Sequence, residues 1–313
     1  MMNNVHKTEF SAFTWHNVTD NGEQEIRYLR DKFGFESADL QVVASPPLRP
    51  KLDLNPAYLF IVLPYPVHER KTSVVTTSEL DLFLMKNAVV TVHKNEIQAL
   101  RDISQRMEAE PRFREKYSRA NPLKFTLDMI ETLDLSLYPM LDHFSWDIDA
   151  IDKILFTGRE RELVGSILAI KRNIVAVRKS LGGQKDVIEE MQEHAKEYVG
   201  AKALDRATEA QFRNIRNLSK DLWVQMENHM ATIGALQQTN ESLISFRLND
   251  IMKTLTMLSL VVFPLTLLAA IFGMNTTGGM PFVESMGGFW RVIAIMLSGM
   301  LFMLYWFKRH RWI

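Results

Sequence analysis

The sequence predicts an α+β protein in which a soluble body of mixed strands and helices gives way, through one long helix, to a pair of apolar helices of membrane-spanning length. Three observations carry that expectation. Charge is unevenly placed: the chain has 37 Lys+Arg and 37 Asp+Glu, yet between Thr254 and Phe307 only Glu284 and Arg291 are charged. Strand-like runs are confined to the N-terminal third, and helical periodicity follows. Between Ala201 and Phe272 the only Gly or Pro residues are Gly234 and Pro264. The neutral total and a mean hydropathy of −0.09 therefore average over two unlike parts.

The elements follow in order. Residues 1–11 lack an apolar signal-peptide core, so the first span itself is expected to direct insertion. Residues 23–33 read as a helix. Residues 59–63 (LFIVL), after Tyr58, form a buried-strand pattern that Pro64 and Pro66 are expected to end. Residues 79–85 and 88–93 are strand-like on either side of a Lys86-Asn87 turn. From Lys94 onward strand signals vanish. Residues 125–156 and 160–181 carry apolar side chains at helical spacing, and Gly182-Gly183 separates the second run from a helix at 184–198. The next stretch places Phe212, Ile215, Leu218, Leu222, Met226 and Met230 at steps of three or four, a face for packing other helices. If 201–272 is continuous, its rise is about 108 Å at about 1.5 Å per residue. A break into two helices near Gly234 is the alternative.

Residues 254–272 (TLTMLSLVVFPLTLLAAIF) and 289–307 are each long and apolar enough to span a bilayer. Pro264 is tolerable there, because neighbouring helices can satisfy the freed backbone group. Arg291, near one end, can snorkel. The short link 273–288 makes the pair a hairpin. The cluster Lys308-Arg309-His310-Arg311 follows the second run, and positive residues stay on the cytoplasmic side. Both termini are therefore expected inside and the loop outside. The expected division is a cytoplasmic α/β domain (1–120), a cytoplasmic helical part (121–200), a stalk helix (201–253), a first transmembrane helix (254–272), an outer loop (273–288), and a second transmembrane helix with its basic tail (289–313).

Several functions are disfavoured at once. The absence of Cys excludes disulfides, thiolate metal sites and cysteine nucleophiles. Zero net charge argues against a nucleic-acid partner. No phosphate-binding loop, H-E-x-x-H or G-x-S-x-G is present, and no two of the 8 His stand at a ligand-like helical spacing. No enzyme and no organic cofactor is expected. Two spans cannot enclose a polar path alone, so a path needs several copies around an axis. On the first span Asn249, Met252, Ser259, Phe263, Thr266 and Ala270 share one face by helical spacing. That face mixes polar groups with a hydrophobic constriction, which suits a pore. Helix packing through small polar residues is an equally open reading.

The outer end of this helix reads Phe272-Gly273-Met274-Asn275, which resembles the Gly-Met-Asn signature of the CorA family of two-span magnesium channels. Asn249-Asp250-Ile251-Met252-Lys253 before the span and Pro264-Leu265-Thr266 within it resemble the family too. So do Arg49-Pro50-Lys51, Lys171-Arg172-Asn173 and Arg178-Lys179 in the soluble body. The likeness runs along nearly the whole chain and is weakest over the first 40 residues or so.

The resemblance implies a funnel-shaped homopentamer in the plasma membrane that admits Mg²⁺ and is gated by cytoplasmic divalent cations. Its selectivity filter falls on Gly273, Met274 and Asn275. Mg²⁺ dehydrates reluctantly, and neutral amide and carbonyl oxygens can hold its hydration shell without stripping it. Met274 is expected to pack rather than ligate a hard ion. Thr266 would offer oxygen further in, and Met252 with Leu255 would form a hydrophobic gate. Lys308, Arg309 and Arg311 would ring the neck, or simply anchor the helix. The regulatory metal pair falls on Glu69 and Asn214, where the family commonly has an acid at the second place. A second stalk acid falls on Gln238. The acids Asp142, Asp147, Asp149 and Asp152 are a substitute sensor or a solvated helix face. The loop reads Met280-Pro281-Phe282 where magnesium carriers often have Met-Pro-Glu, with Gly278-Gly279 before it and Glu284 as its only acid. Zinc, cobalt or nickel transport, with or without proton coupling, is thus the second expectation, and a membrane-anchored sensor without transport the third.

Overall fold

A computed structural model describes residues 4–46, 49–69, 71–118, 120–200, 203–275, 280–282 and 286–310. The chain divides into two compact units, Met1–Gln238 and Thr239–Ile313.

The first unit is built on one six-stranded sheet. Its strands are β1 (Val5–Glu9), β2 (Thr14–Val18), β3 (Lys51–Asn55), β4 (Tyr58–Glu69), β5 (Val74–Leu84) and β6 (Ala88–Val92), in the spatial order β1-β2-β6-β5-β4-β3. Every pairing is antiparallel except β2 with β6. That parallel pair needs a crossover, and α1 (Glu23–Phe33), α2 (Ser37–Val43) and β3 to β5 lie within it. Gly34, at φ 67°, ends α1 in the left-handed conformation. Alternation along β4 sorts the two faces of the sheet. Tyr58, Phe60 and Val62 join Phe83, Leu29, Phe35 and Leu40 in one core under α1 and α2. Tyr65, of opposite parity, turns to the helices on the other side, where its hydroxyl meets Asp134.

The strand at 59–63 does not stop at the prolines. β4 continues to Glu69, with Pro64 opposite Glu79 and Pro66 opposite Thr77. The reason lies in its other neighbour. Pairing with β3 ends at Lys51–Val62, so beyond Val62 β4 is an edge with a sheet partner on one side. A missing N–H is tolerated there.

The helices of this unit are α3 (Gln98–Ala109), α4 (Pro111–Lys116), α5 (Pro122–Leu135), α6 (Tyr138–Ile154), α7 (Glu160–Leu181) and α8 (Gln184–Val199). Asn121 caps α5, accepting the Lys124 N–H at 2.8 Å. The periodic run 125–156 is divided between α5 and α6 around Ser136-Leu137, with Pro139 in the first turn of α6. Gly183, at φ 95°, sets the turn from α7 into α8. α7 packs on β4 and β5.

The last long helix, α9, runs Arg206–Phe272 without interruption, 67 residues and about 100 Å of rise. The break considered at Gly234 does not occur. Beyond Gln238 it belongs to the second unit, together with α10 (Gly288–Arg309). The apolar windows of α9 and α10 are 0% and 6% buried. That exposure separates them from core helices of a soluble protein and suits lipid or further copies of the chain.

Candidate functional site

The face read on the first span is built as a single helical surface. At about 100° per residue, Asn249, Met252, Leu255, Ser259, Phe263, Thr266 and Ala270 fall within an arc of roughly 120° on α9. Phe263 is 70% exposed and Met252 59%, so the single chain leaves both side chains uncovered. The two hydroxyls of this face share one geometry. Ser259 Oγ donates to the Leu255 carbonyl and Thr266 Oγ1 to the Val262 carbonyl, each at 2.9 Å. With the proton spent inside the helix, what each hydroxyl presents outward is lone pairs. Lone pairs suit a hydrated cation, whose bound waters point their hydrogens away from the ion.

At its end α9 closes on the signature itself. The Gly273 N–H donates to the Ala269 carbonyl at 2.9 Å and the Met274 N–H to the Ile271 carbonyl at 3.3 Å. A Cβ at position 273 would lie 3.1 Å from the Ala269 oxygen, tighter than ordinary contact. Glycine therefore lets the last turn close just before Asn275. Met274 and Asn275 are both exposed in the single chain. Glu284, Gly278 and Gly279 of the loop, and Arg311 of the basic tail, lie outside the described residues. Lys308 and Arg309 end α10, both exposed.

The proposed regulatory positions stand on separate elements of the first unit. Glu69 ends β4, exposed, and accepts a hydrogen bond from Thr72 Oγ1 at 2.7 Å within its own turn. Asn214 and Gln238 are exposed on α9. Among the described residues, no group of three or more His, Asp or Glu stands where it can hold a metal ion. On α6, Asp142, Asp147, Asp149 and Asp152 are exposed, while Leu141, Phe144, Ile148 and Ile151 are buried.

Of the buried acids that escaped the sequence reading, Asp134 and Asp81 are the deepest. Asp134 on α5 is wholly buried and draws together three other elements: Gln184 Nε2 of α8 donates to it at 2.6 Å, Tyr65 Oη of β4 at 3.1 Å, and Ser219 Oγ of α9 approaches at 3.5 Å. Burial pushes its carboxyl up to about 7, against those hydrogen bonds. Asp81, in the middle of β5, is also buried. Neither carries a sequence signal that separates it from a solvated acid, although Asp81 does interrupt an otherwise apolar strand (LDLFL).

Comparison with known proteins shows the family and the fold. The family model described as CorA-like Mg²⁺ transporter protein matches residues 10–309. The cobalt/magnesium transport protein CorA of Thermotoga maritima is 24% identical over 304 residues, which is 97% of this chain and 84% of that one. The protein of the same description from Methanocaldococcus jannaschii is 24% identical over 305 residues, 96% of this chain and 91% of its own. The solved structure of the M. jannaschii CorA magnesium transporter superposes with a TM-score of 0.82 at 21% identity, covering 96% of this chain and 92% of that one. At that identity the superposition speaks to the fold.

Proposed function

Because this chain belongs to the CorA-like Mg²⁺ transporter family, we propose that it carries Mg²⁺ into the cell through a pore lined by α9 from several copies. The carrying observation is the α9 face: an exposed stripe whose hydroxyls turn lone pairs outward, ending at Gly273-Met274-Asn275. A homopentamer in the plasma membrane, with both termini and the first unit cytoplasmic, gives that face an axis to surround. Within it, residues 201–253 serve as stalk and 254–272 as pore lining. A ring of Asn275 amides with Gly273 carbonyls receives the hydrated ion. Neutral oxygens hold it weakly enough for release, as conduction requires. Met252, Leu255 and Phe263 form the dry constriction, and Lys308, Arg309 and Arg311 surround the neck. Glu69 and Asn214, each exposed on its own chain, suit a divalent cation bridged between neighbouring copies that holds the pore closed.

The test is Mg²⁺ uptake into vesicles containing the purified protein. Wild type takes up Mg²⁺, and Asn275→Ala, whose side chain cannot hold the hydration shell, loses that uptake. Normal uptake by the variant would overturn the filter assignment. Cobalt is the second cargo, favoured by the two relatives, which are cobalt/magnesium transport proteins. Parallel assays with Co²⁺, Ni²⁺ and Zn²⁺, with and without a proton gradient, rank the ions.

A further inference from the structure

We propose that Asp81 and Glu79 form a site for a hard divalent cation inside the α/β domain, distinct from the filter and from Glu69. The two carboxylates stand at i and i+2 on β5, so they share one face of the sheet. That face is otherwise core: Asp81 lies directly between Val62 of β4 and Val92 of β6, and Phe83 next along the face is fully buried. Asp81 is 3% exposed, and its Oδ1 has no hydrogen-bond partner. A buried, under-satisfied acid is costly unless something compensates it. The two carboxylates line a cavity of about 260 Å³, along with Asn21, Ser45, Lys94 and Glu96.

The alternative occupant is a proton. Burial first, then Glu79's charge and a hydrogen bond to Glu79, hold the Asp81 carboxyl well above the usual range, while Lys51 acts against them. Lys51 is itself engaged with Asp53 at 2.5 Å. A shared proton satisfies the contact between the two acids but leaves Oδ1 without a partner. A divalent cation satisfies both acids, since Mg²⁺ binds through one or two carboxylates and keeps several waters. The cavity has room for those waters. Its donors are oxygens: the neighbouring His93 is committed through Nε2 to Asn17 at 2.9 Å and through Nδ1 to the Asn95 N–H at 3.0 Å. Oxygen-only donors favour Mg²⁺ and Mn²⁺ over Zn²⁺. Entry of the cation displaces the shared proton to solvent. The site is not Glu69 under another description. Glu69 pairs with Val74 and Asp81 with Val62, seven residues apart along β4, or about 23 Å at about 3.3 Å per residue.

The experiment uses Mn²⁺ as probe on the full-length protein, which leaves the transport reading aside. Crystals soaked in Mn²⁺ are expected to show an anomalous peak within about 2.3 Å of carboxylate oxygens of both Asp81 and Glu79. In solution, Mn²⁺ bound per chain, counted by electron paramagnetic resonance, is expected to fall by one in Asp81→Asn. The milder variant Glu79→Gln, on the half-buried member, is expected to weaken that class of site at least tenfold. Proton release on Mn²⁺ binding is expected in wild type and absent in Asp81→Asn. A wild-type map with Mn²⁺ elsewhere and none at Asp81 overturns the proposal and leaves the pair a shared-proton dyad. Failure of uptake with an intact Mn²⁺ peak at Asp81 would instead count against the transport reading.

Discussion

Replacing Asp134 by Asn should remove a large part of the pH dependence of folding. Asp134 is wholly buried and accepts from Gln184 and Tyr65, yet burial outweighs these bonds and pushes its carboxyl from 3.8 up to about 7. A group whose folded value lies above its unfolded value favours the folded state while protonated. Its contribution is complete below about pH 4 and is lost as pH rises through about 7. Three units at about 1.36 kcal/mol each give about 4 kcal/mol across that window. Asparagine is nearly isosteric and does not titrate. Its oxygen still accepts from Gln184 Nε2 and Tyr65, and its amide offers a donor to Gln184 Oε1, which has no partner. The assay is thermal unfolding of the full-length protein in detergent, followed by Trp fluorescence, from pH 5 to 8.5. Other titrating groups cancel in the difference between the two proteins. Wild type should lose stability relative to Asp134→Asn as pH rises, by several degrees in the apparent midpoint. A difference that stays constant with pH refutes the argument that burial controls this carboxyl.

Four further outcomes are expected. Asn121→Ala removes the cap that holds the Lys124 N–H and should cost about 1 kcal/mol in the same melts. Gly234→Ala adds a methyl with nothing within 4 Å of it in a continuous helix, and should gain about 0.5–1 kcal/mol. Gly183→Ala, at φ 95°, should instead lose stability by a similar amount. Asn214→Asp places an acid on α9 beside neutral neighbours Arg213 aside, and vesicle uptake should become more sharply inhibited by Mg²⁺ on the cytoplasmic face; unchanged inhibition would remove Asn214 from the sensing site.

What the sequence revealed divides along physical lines. α1 and α7 appear at the bounds read from the chain because punctuation marks their ends: Gly34 takes a left-handed turn after α1, and Gly182-Gly183 follows α7. The turn at Lys86-Asn87 was equally legible, since two apolar runs flank it and Met85 N–H meets the Ala88 carbonyl at 3.0 Å. β4 was read too short, because a proline's tolerance depends on whether a neighbouring strand needs its N–H, and that neighbour, β3, is set by the fold. The stripe on α9 was legible because helical geometry alone brings its members to one side. Asp134 and Asp81 were not, since an acid in a periodic pattern looks the same whether its partner is water or a buried tyrosine. Their partners lie 50 to 85 residues away for Asp134, beyond any local pattern.

The charge distribution bears on how the proposed pore is controlled. Two unit charges 4 Å apart near a protein surface interact by about 4 kcal/mol, so an acid at a bridging position both attracts a divalent cation and repels its neighbours once the cation leaves. At the proposed bridging positions Asn214 and Gln238 are neutral, so neither would supply that response, and Glu69 would be the one acid of the proposed contact. A site between copies with a single acid binds its ion more weakly and stores less repulsion when empty. Opening by loss of the ion then draws on less energy than a paired-acid site would supply. The two acids of the proposed internal site, Asp81 and Glu79, lie within one chain, where burial first and then Glu79's charge hold the Asp81 carboxyl well above its usual range. An ion held there stiffens the β5 side of the α/β domain, on which α7 packs. Control in this chain is therefore expected to combine a weak contact between copies with ion binding inside each copy, and the latter responds to pH because a proton competes for the same carboxylates.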